Sequence, residues 1–222
     1  MKLLAIETSA SACSVALMID DAITSLHEIA PMQQAARILP MINQILQNAN
    51  VTSRDLTALA FGCGPGSFTG VRIATSVMQG LAYATGLDLL PVSSLAACAQ
   101  TTYQDLGWEK ILVAMDARMG EIYWGAYRAN KKGLMELEGT EAVSPAASMI
   151  MPAGEGWYGA GNGWPAYAPQ FTISPAKIEG DRLPEARGVA MLGRAMFLRG
   201  EGVKAEAVNP VYLRNNVAEK GR

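Results

Sequence analysis

Three short runs of strand-forming residues follow one another twice along this chain, with only a turn between neighbouring runs. The first set lies between Lys2 and Ala30 and reads KLLAIET, CSVALMI and AITSLHEIA. The second lies between Lys110 and Val143 and reads KILVAMDA, EIYWGAYRA and LMELEGTEAV. Each set has the pattern of an antiparallel three-stranded meander. With 222 residues, half of them apolar, the chain can bury a sizeable core around two such units.

Helix and strand patterns follow each meander. In the first half, apolar residues of segment 34–48 recur at helical spacing, and the strand LTALAFGCG leads into a helix that closes at Gly86. The strand LDLLPVS and the helix SLAACAQTTYQDL complete this half, while GWYGAG and PEARGVAMLGRAMFLRG continue the second. The order predicts a two-lobed α/β protein with a faint internal duplication and lobes at residues 1–105 and 106–222.

Composition argues against several classes of protein. The formal net charge of -2 does not supply the clustered basic surface with which a protein grips nucleic acid. Cys13, Cys63 and Cys98 form no C-x-x-C pair, so they suit neither a disulfide framework nor a thiolate zinc site. Glu7 interrupts the N-terminal apolar run too early for a signal peptide, and no segment approaches the length of a membrane span. We expect a cytoplasmic protein with free thiols.

A glycine-rich segment, GCGPGSFTGVRIA, joins a strand to a helix between Gly62 and Ala74. It is not a Walker loop, because no lysine occurs between Lys2 and Lys110, and its glycine spacing does not match G-x-G-x-x-G. Backbone N–H groups beside a helix N-terminus still attract anions. We therefore predict an anion-binding loop that consists of Gly64, Gly66, Ser67, Thr69 and Gly70. The alternative is that the glycines only permit positive φ angles and tight packing of the helix on the sheet.

The residues of common catalytic sites are scarce. His27 is the only histidine and is predicted on a strand, so two-histidine metal sites are excluded, and no G-x-S-x-G nucleophile motif is present. Glu7, Asp116 and Glu121 follow or begin strands and could hold Mg²⁺ through water. Capping of turns is the favoured interpretation of these carboxylates.

Four segments, LLAIETSASACSVAL, GCGPGSFTGVRIA, MDARMGEIYWGAY and PVYLRNN, carry a resemblance that covers essentially the whole chain. In order and spacing they closely resemble the bacterial TsaB family, also called YeaZ. The resemblance implies the actin-like ATPase (ASKHA) fold, with two lobes each built on a βββαβα core. It also implies a non-catalytic, scaffolding or activating subunit in the formation of N6-threonylcarbamoyladenosine next to the anticodon of tRNAs that read codons beginning with A.

The implied partners are the transferase TsaD, the ATPase TsaE, a second copy of the chain in a homodimer, and tRNA reached indirectly through the complex. No cofactor or metal of its own is implied. TsaD resembles this chain at Glu7, Thr8 and Ser9 but continues with acidic residues, and it carries an H-x-x-x-H metal pair where this sequence has QQAARIL. Gln34 and Ile38 cannot replace imidazole as ligands of iron or zinc. The transferase site is therefore predicted to be missing, and a protease activity is disfavoured.

The fold also hosts small-molecule kinases, which keeps a second function open. Such a kinase needs an Asp near the first turn and another in the second lobe to bind magnesium nucleotide. Here the first position is Glu7 and the second could be Asp116. The kinase alternative is therefore weak, since the fold alone does not determine function.

Two helices, at Gln34 to Asn48 and Thr69 to Ala84, carry more apolar and small residues than one buried stripe needs. In line with the resemblance, we expect them to pack against the equivalent helices of TsaD, or of a second copy. The residues assigned to this interface are Ile38, Met41, Ile42, Ile45, Val71, Ala74, Thr75 and Met78. The alternative is that they are core helices of one lobe.

The C-terminal stretch NPVYLRNN is irregular and offers Tyr212, Arg214 and Asn215. An aromatic ring, a guanidinium and an amide suit stacking and phosphate contact, which predicts a contact with tRNA or with the complex. The alternative, which we favour, is that the tail docks on its own lobe through Val211 and Leu213.

Overall fold

The computed structural model describes residues 1–214, and within them two five-stranded sheets form the framework. The first sheet has the spatial order β3-β2-β1-β4-β5, and its strands are β1 (Lys2–Glu7), β2 (Ala12–Ile19), β3 (Ala22–Ile29), β4 (Ala58–Gly62) and β5 (Leu89–Val92). The second has the order β10-β9-β6-β7-β8, and its strands are β6 (Lys110–Arg118), β7 (Glu121–Ala129), β8 (Met135–Pro145), β9 (Tyr158–Ala160) and β10 (Ile178–Glu179).

Both sheets are built in the same way. The strands β1, β2 and β3 pair antiparallel as a meander, and β4 and β5 join the other edge in parallel. The strands β6, β7 and β8 repeat the meander, and β9 and β10 repeat the parallel edge. The predicted α/β class with two actin-like lobes is therefore confirmed.

Two of the helices pack on the sheet that belongs to the other half of the sequence. The helices are α1 (Gln34–Asn48), α2 (Phe68–Thr85), α3 (Ser94–Leu106), α4 (Gly163–Ala166) and α5 (Ala186–Leu198). Side chains of β1 alternate, so that Leu4 and Ile6 face α1 and α2 while Leu3 and Ala5 face α5. The helix α3 packs on the second sheet. A division at residue 105 separates the two sheets, but α3 and α5 each cover the sheet of the other half.

The middle of the second half holds two short elements that the sequence does not predict, α4 and β10. The helix α4 has four residues and β10 has two, so neither is long enough to show the apolar periodicity of a helix or a strand. Within residues 1–214, no helix combines the length and the apolar character that a bilayer crossing requires.

Candidate functional site

The glycine-rich turn after β4 packs directly against the segment that leaves β1. A Cβ added at Gly62 would lie 1.8 Å from the Glu7 carboxylate. One added at Gly66 would lie 2.6 Å from the Ser9 carbonyl oxygen, and one at Gly70 would lie 2.1 Å from the Thr8 carbonyl oxygen. Neither carbonyl can give way without moving the backbone. The glycines are therefore needed for close approach of two chain segments, which supports the packing interpretation.

Several polar groups of the proposed anion-binding loop already have partners inside the chain. The Ser67 N–H donates to the Ser9 carbonyl oxygen at 2.7 Å, and the Ser67 hydroxyl caps α2 by accepting from the Gly70 N–H at 3.4 Å. The Gly64 carbonyl oxygen accepts from the Ser94 N–H at 2.8 Å. Ser67 and Thr69 are exposed, whereas Gly64 and Gly70 are buried. Anion binding at this loop stays a prediction.

Glu7 ends β1 with its carboxyl group fully enclosed. It is 1% exposed, and it accepts from the Ser9 N–H at 2.6 Å and from the Ser94 hydroxyl at 2.8 Å. Burial raises the pKa of Glu7 above the ordinary value of 4.5, and the hydrogen bonds from Ser9 and Ser94 oppose the rise only in part. Glu7 therefore links the glycine turn to the start of α3, and it does not line the cleft between the lobes.

The raised pKa of Glu7 predicts how stability changes with pH. The native state keeps a proton that the unfolded chain loses above about pH 4.5, so the Glu7 contribution to the free energy of unfolding decreases as pH rises from there towards the folded pKa. Glu7→Gln retains an acceptor for the Ser9 N–H and cannot ionise. We expect the variant to be more stable than the parent at pH 8 and nearly equal to it at pH 4, measured by urea denaturation. Exposed Glu155→Gln is the control, and an equal pH dependence in parent and Glu7→Gln would contradict the assignment.

The other carboxylates considered for Mg²⁺ are engaged elsewhere. Asp116 accepts from the Tyr167 hydroxyl at 2.8 Å and forms an ion pair with Arg118 at 2.9 Å. Glu121 forms an ion pair with Arg214. Among residues 1–214, no group of three or more His, Cys, Asp or Glu side chains could hold a metal ion. The structure does not bring Glu7 and Asp116 together on the cleft wall, which weakens the kinase alternative.

The residues assigned to the helical interface are buried within the chain itself. All eight side chains are between 0% and 5% exposed: Ile38, Met41, Ile42, Ile45, Val71, Ala74, Thr75 and Met78. Seven of the eight positions are apolar, and they form the inner stripes of α1 and α2 that pack on the first sheet. Apolar residues at helical spacing mark the face that the chain buries itself. A contact of these eight residues with a partner stays a prediction.

The outer face of α1 and α2 is exposed and carries small and apolar side chains. Leu39, Phe68 and Tyr83 are 57%, 50% and 68% exposed, and Ser76 and Gly80 follow one another one turn apart along α2. A groove of 480 Å³ runs between the two helices, lined mainly by Ala35, Ile38, Phe68, Thr69, Ile73, Ser76 and Val77. Small residues one turn apart let another helix approach closely.

The C-terminal segment returns to the first lobe and docks beside the glycine turn. The Val211 N–H donates to the Cys63 carbonyl oxygen at 2.8 Å, and the Tyr212 hydroxyl accepts from Arg72 Nε at 2.8 Å. The Phe68 and Tyr212 rings lie 5.8 Å apart between centroids. This placement favours the interpretation that the tail docks on the body of the chain.

The end of the described tail crosses to the other lobe. Arg214 donates to the Glu121 carboxylate and, at 3.2 Å, to the Arg118 carbonyl oxygen, and its side chain is only 16% exposed. A guanidinium held in this way is not available to a phosphate without breaking the pair. Asn215 lies outside the described residues. A contact of Tyr212, Arg214 and Asn215 with tRNA stays a prediction.

A cleft of 440 Å³ opens between the lobes, beside the docked tail. The turn after β1, the start of α2, the end of β6 and the tail form its walls.

His27 lies away from this cleft and is exposed on the edge strand β3, as its sequence context suggests. Sequence reasoning missed the cluster of Arg72, Phe68 and Tyr212, because its members come from segments 140 positions apart.

Comparison with known proteins gives a match to one family model and matches to several similar proteins. Residues 23–181 match the family model of TsaD, tRNA N6-adenosine threonylcarbamoyltransferase. A relative from Escherichia coli K12, "tRNA threonylcarbamoyladenosine biosynthesis protein TsaB", is 40% identical over 99% of this chain and 97% of its own length. Two solved structures from Pseudomonas aeruginosa, one described as YeaZ and one as similar to peptidase YeaZ, each share 44% identity and a TM-score of 0.92 over 96% of this chain and 99% of theirs. The chain belongs to the TsaB (YeaZ) family.

Proposed function

We propose that this chain is a non-catalytic partner subunit in the biosynthesis of N6-threonylcarbamoyladenosine in tRNA, acting in the cytoplasm. Its role is to bind and activate a TsaD-type transferase through the outer face of α1 and α2. The observation that carries the proposal is this outer face, which presents exposed Leu39, Phe68 and Tyr83 beside the small residues Ser76 and Gly80. Exposed apolar surface of this kind is typical of protein interaction sites.

The structural roles of Gln34 and Ile38 support the proposal that this chain has no transferase centre. These residues stand where the resemblance places a histidine pair in TsaD. Gln34 is 9% exposed and donates from Nε2 to the Ala10 carbonyl oxygen at 2.9 Å, while Ile38 is 1% exposed in the core. Both side chains hold α1 against the rest of the lobe. Neither supplies a ligand that iron or zinc prefers.

The proposed assembly contains further partners besides the transferase. A TsaE-type ATPase joins the complex, tRNA is contacted indirectly through it, and a homodimer forms through the same helices when the transferase is missing. No cofactor is assigned to this chain. These partners follow from the family resemblance, and the chemistry of transfer is assigned to the TsaD-type subunit.

Reconstitution of tRNA modification from purified components tests the function. We expect omission of this chain to lower the rate of threonylcarbamoyladenosine formation by more than about tenfold, because the transferase is not held in its active arrangement. Adding the chain back should restore the rate. The chain incubated alone with threonylcarbamoyl-adenylate and tRNA should give no modified nucleoside by mass spectrometry. Full activity without the chain would overturn the partner role, and modification by the chain alone would overturn the non-catalytic role.

A further inference from the structure

Arg72 places a positive charge on the outer face of α2 in a fixed position. Its guanidinium carbon lies 3.6 Å from the centroid of the Phe68 ring, and its Nε donates to the Tyr212 hydroxyl at 2.8 Å. Stacking on an aromatic face and one hydrogen bond restrict the side chain. Among residues 1–214, no carboxylate forms an ion pair with Arg72. The guanidinium is therefore oriented but not neutralised by the described part of the chain.

The charge also lies where the helix itself disfavours it. Phe68 is the first residue of α2, so a guanidinium stacked on its ring is held over the helix N-terminus. The unpaired N–H groups at this end carry partial positive charge and favour anions, and the first turn of α2 contains no acidic residue. A side chain that opposes its local environment in this way is expected at a functional position. A carboxylate brought to this point would be attracted both by Arg72 and by the helix end.

On a second copy of this chain, the two helices themselves offer no such carboxylate. The sequences of α1 and α2 contain no Asp or Glu. Arg37 of α1 is already paired with Glu28 through two hydrogen bonds, at 2.7 and 2.8 Å. Two copies that pack these helices together would bring Arg72 against helices that carry no carboxylate of their own.

We infer that Arg72 is a specificity-determining residue, which selects a partner subunit that presents an Asp or Glu side chain at the N-terminal end of α2 over a second copy of this chain. Arg72 itself lines the groove, whose other residues are mainly apolar or small, so a partner that covers the groove would shield the ion pair from water. A planar guanidinium held by Phe68 and Tyr212 fits a carboxylate with two parallel hydrogen bonds. The inference rests on the proposed function, because it requires the partner to bind this helix face.

Binding measurements on Arg72 variants test the inference. The dissociation constant for the purified TsaD-type transferase is measured by calorimetry for the parent chain and for Arg72→Ala, Arg72→Lys and Arg72→Glu. We expect Arg72→Ala to bind about tenfold more weakly, Arg72→Lys to recover only part of the loss, and Arg72→Glu to bind more weakly than Arg72→Ala. The affinity of the parent should also decrease more steeply with ionic strength than that of Arg72→Ala.

Two comparisons separate selection from a general effect. Lys132→Ala removes an exposed cation from the turn between β7 and β8 and should change the affinity by less than about twofold. Self-association of Arg72→Ala, measured by analytical ultracentrifugation, should be equal to or tighter than that of the parent. An Arg72→Ala variant that binds the transferase as tightly as the parent does, or an equal loss in self-association, would overturn the inference. Such a result would leave the proposed function intact, because that function requires only that the parent binds and activates the transferase.

Discussion

Gly70→Ala is expected to destabilise the protein severely although alanine is the better helix former. Gly70 lies in the first turn of α2, where alanine alone would stabilise the helix by about 1 kcal/mol. The added Cβ would lie 2.1 Å from the Thr8 carbonyl oxygen and 3.0 Å from the carbonyl carbon. The Thr8 hydroxyl also donates to the Gly70 carbonyl oxygen at 2.7 Å, so the two segments cannot separate without losing this bond. We expect a loss of about 3 kcal/mol in the free energy of unfolding, measured by urea denaturation.

Gly80→Ala is the matched control for this prediction. Gly80 lies in the same helix and is exposed, and a Cβ added there would meet no atom of residues 1–214 within 4 Å. The substitution should raise the free energy of unfolding by up to about 1 kcal/mol. Equal stability of the two variants would show that the contact between Gly70 and Thr8 does not constrain the fold, and would contradict the packing role of the glycine turn.

The elements with a clear period could be predicted from the sequence. The helix α1 has the bounds of the predicted segment 34–48, and each predicted strand of the two meanders is present. A pattern of apolar residues reports burial on one face, and these elements are long enough to show it. The strand β10 has only two residues and pairs with β9 because the chain path brings it there. Its existence depends on tertiary structure, so sequence periodicity cannot indicate it.

The candidate site could be predicted only as a pair of helices. The sequence indicates an excess of apolar residues on α1 and α2, but the apolar stripe with helical spacing turned out to be the inner face. The outer face is marked by Ser76 and Gly80, which are weak signals because small residues occur on many exposed helices. The contact of Arg72 with Tyr212 joins positions 140 residues apart and depends on the path of the tail across the lobe. Such a contact forms only when the chain has folded, so local sequence patterns do not indicate it.

Gly80→Trp is expected to abolish binding of the TsaD-type transferase without unfolding the chain. The open space around Gly80 lets the isolated protein accept a large side chain, whereas a helix packed closely against Ser76 and Gly80 would collide with it. We expect the affinity to fall by at least about 100-fold, which corresponds to about 2.7 kcal/mol of binding free energy. Calorimetry measures the affinity, and thermal denaturation checks that the variant is folded. A charge placed at Ala74 or Met78 would not test this, because both side chains are 0% exposed and the variant would lose its core.

A bulky residue on another exposed helix face shows whether the loss is specific to α2. Gln104 is exposed on α3, and Gln104→Trp should leave the affinity for the transferase within about twofold of the parent, because scattered exposed positions contribute little to binding. Gly80→Ala should bind nearly as well as the parent, since one methyl group fills little of the space that a tryptophan ring requires. A folded Gly80→Trp variant that binds like the parent would place the partner on another surface. Arg72 lies two turns from Gly80 on the same side of α2. That result would therefore also contradict the inference that Arg72 selects a partner with an acidic side chain.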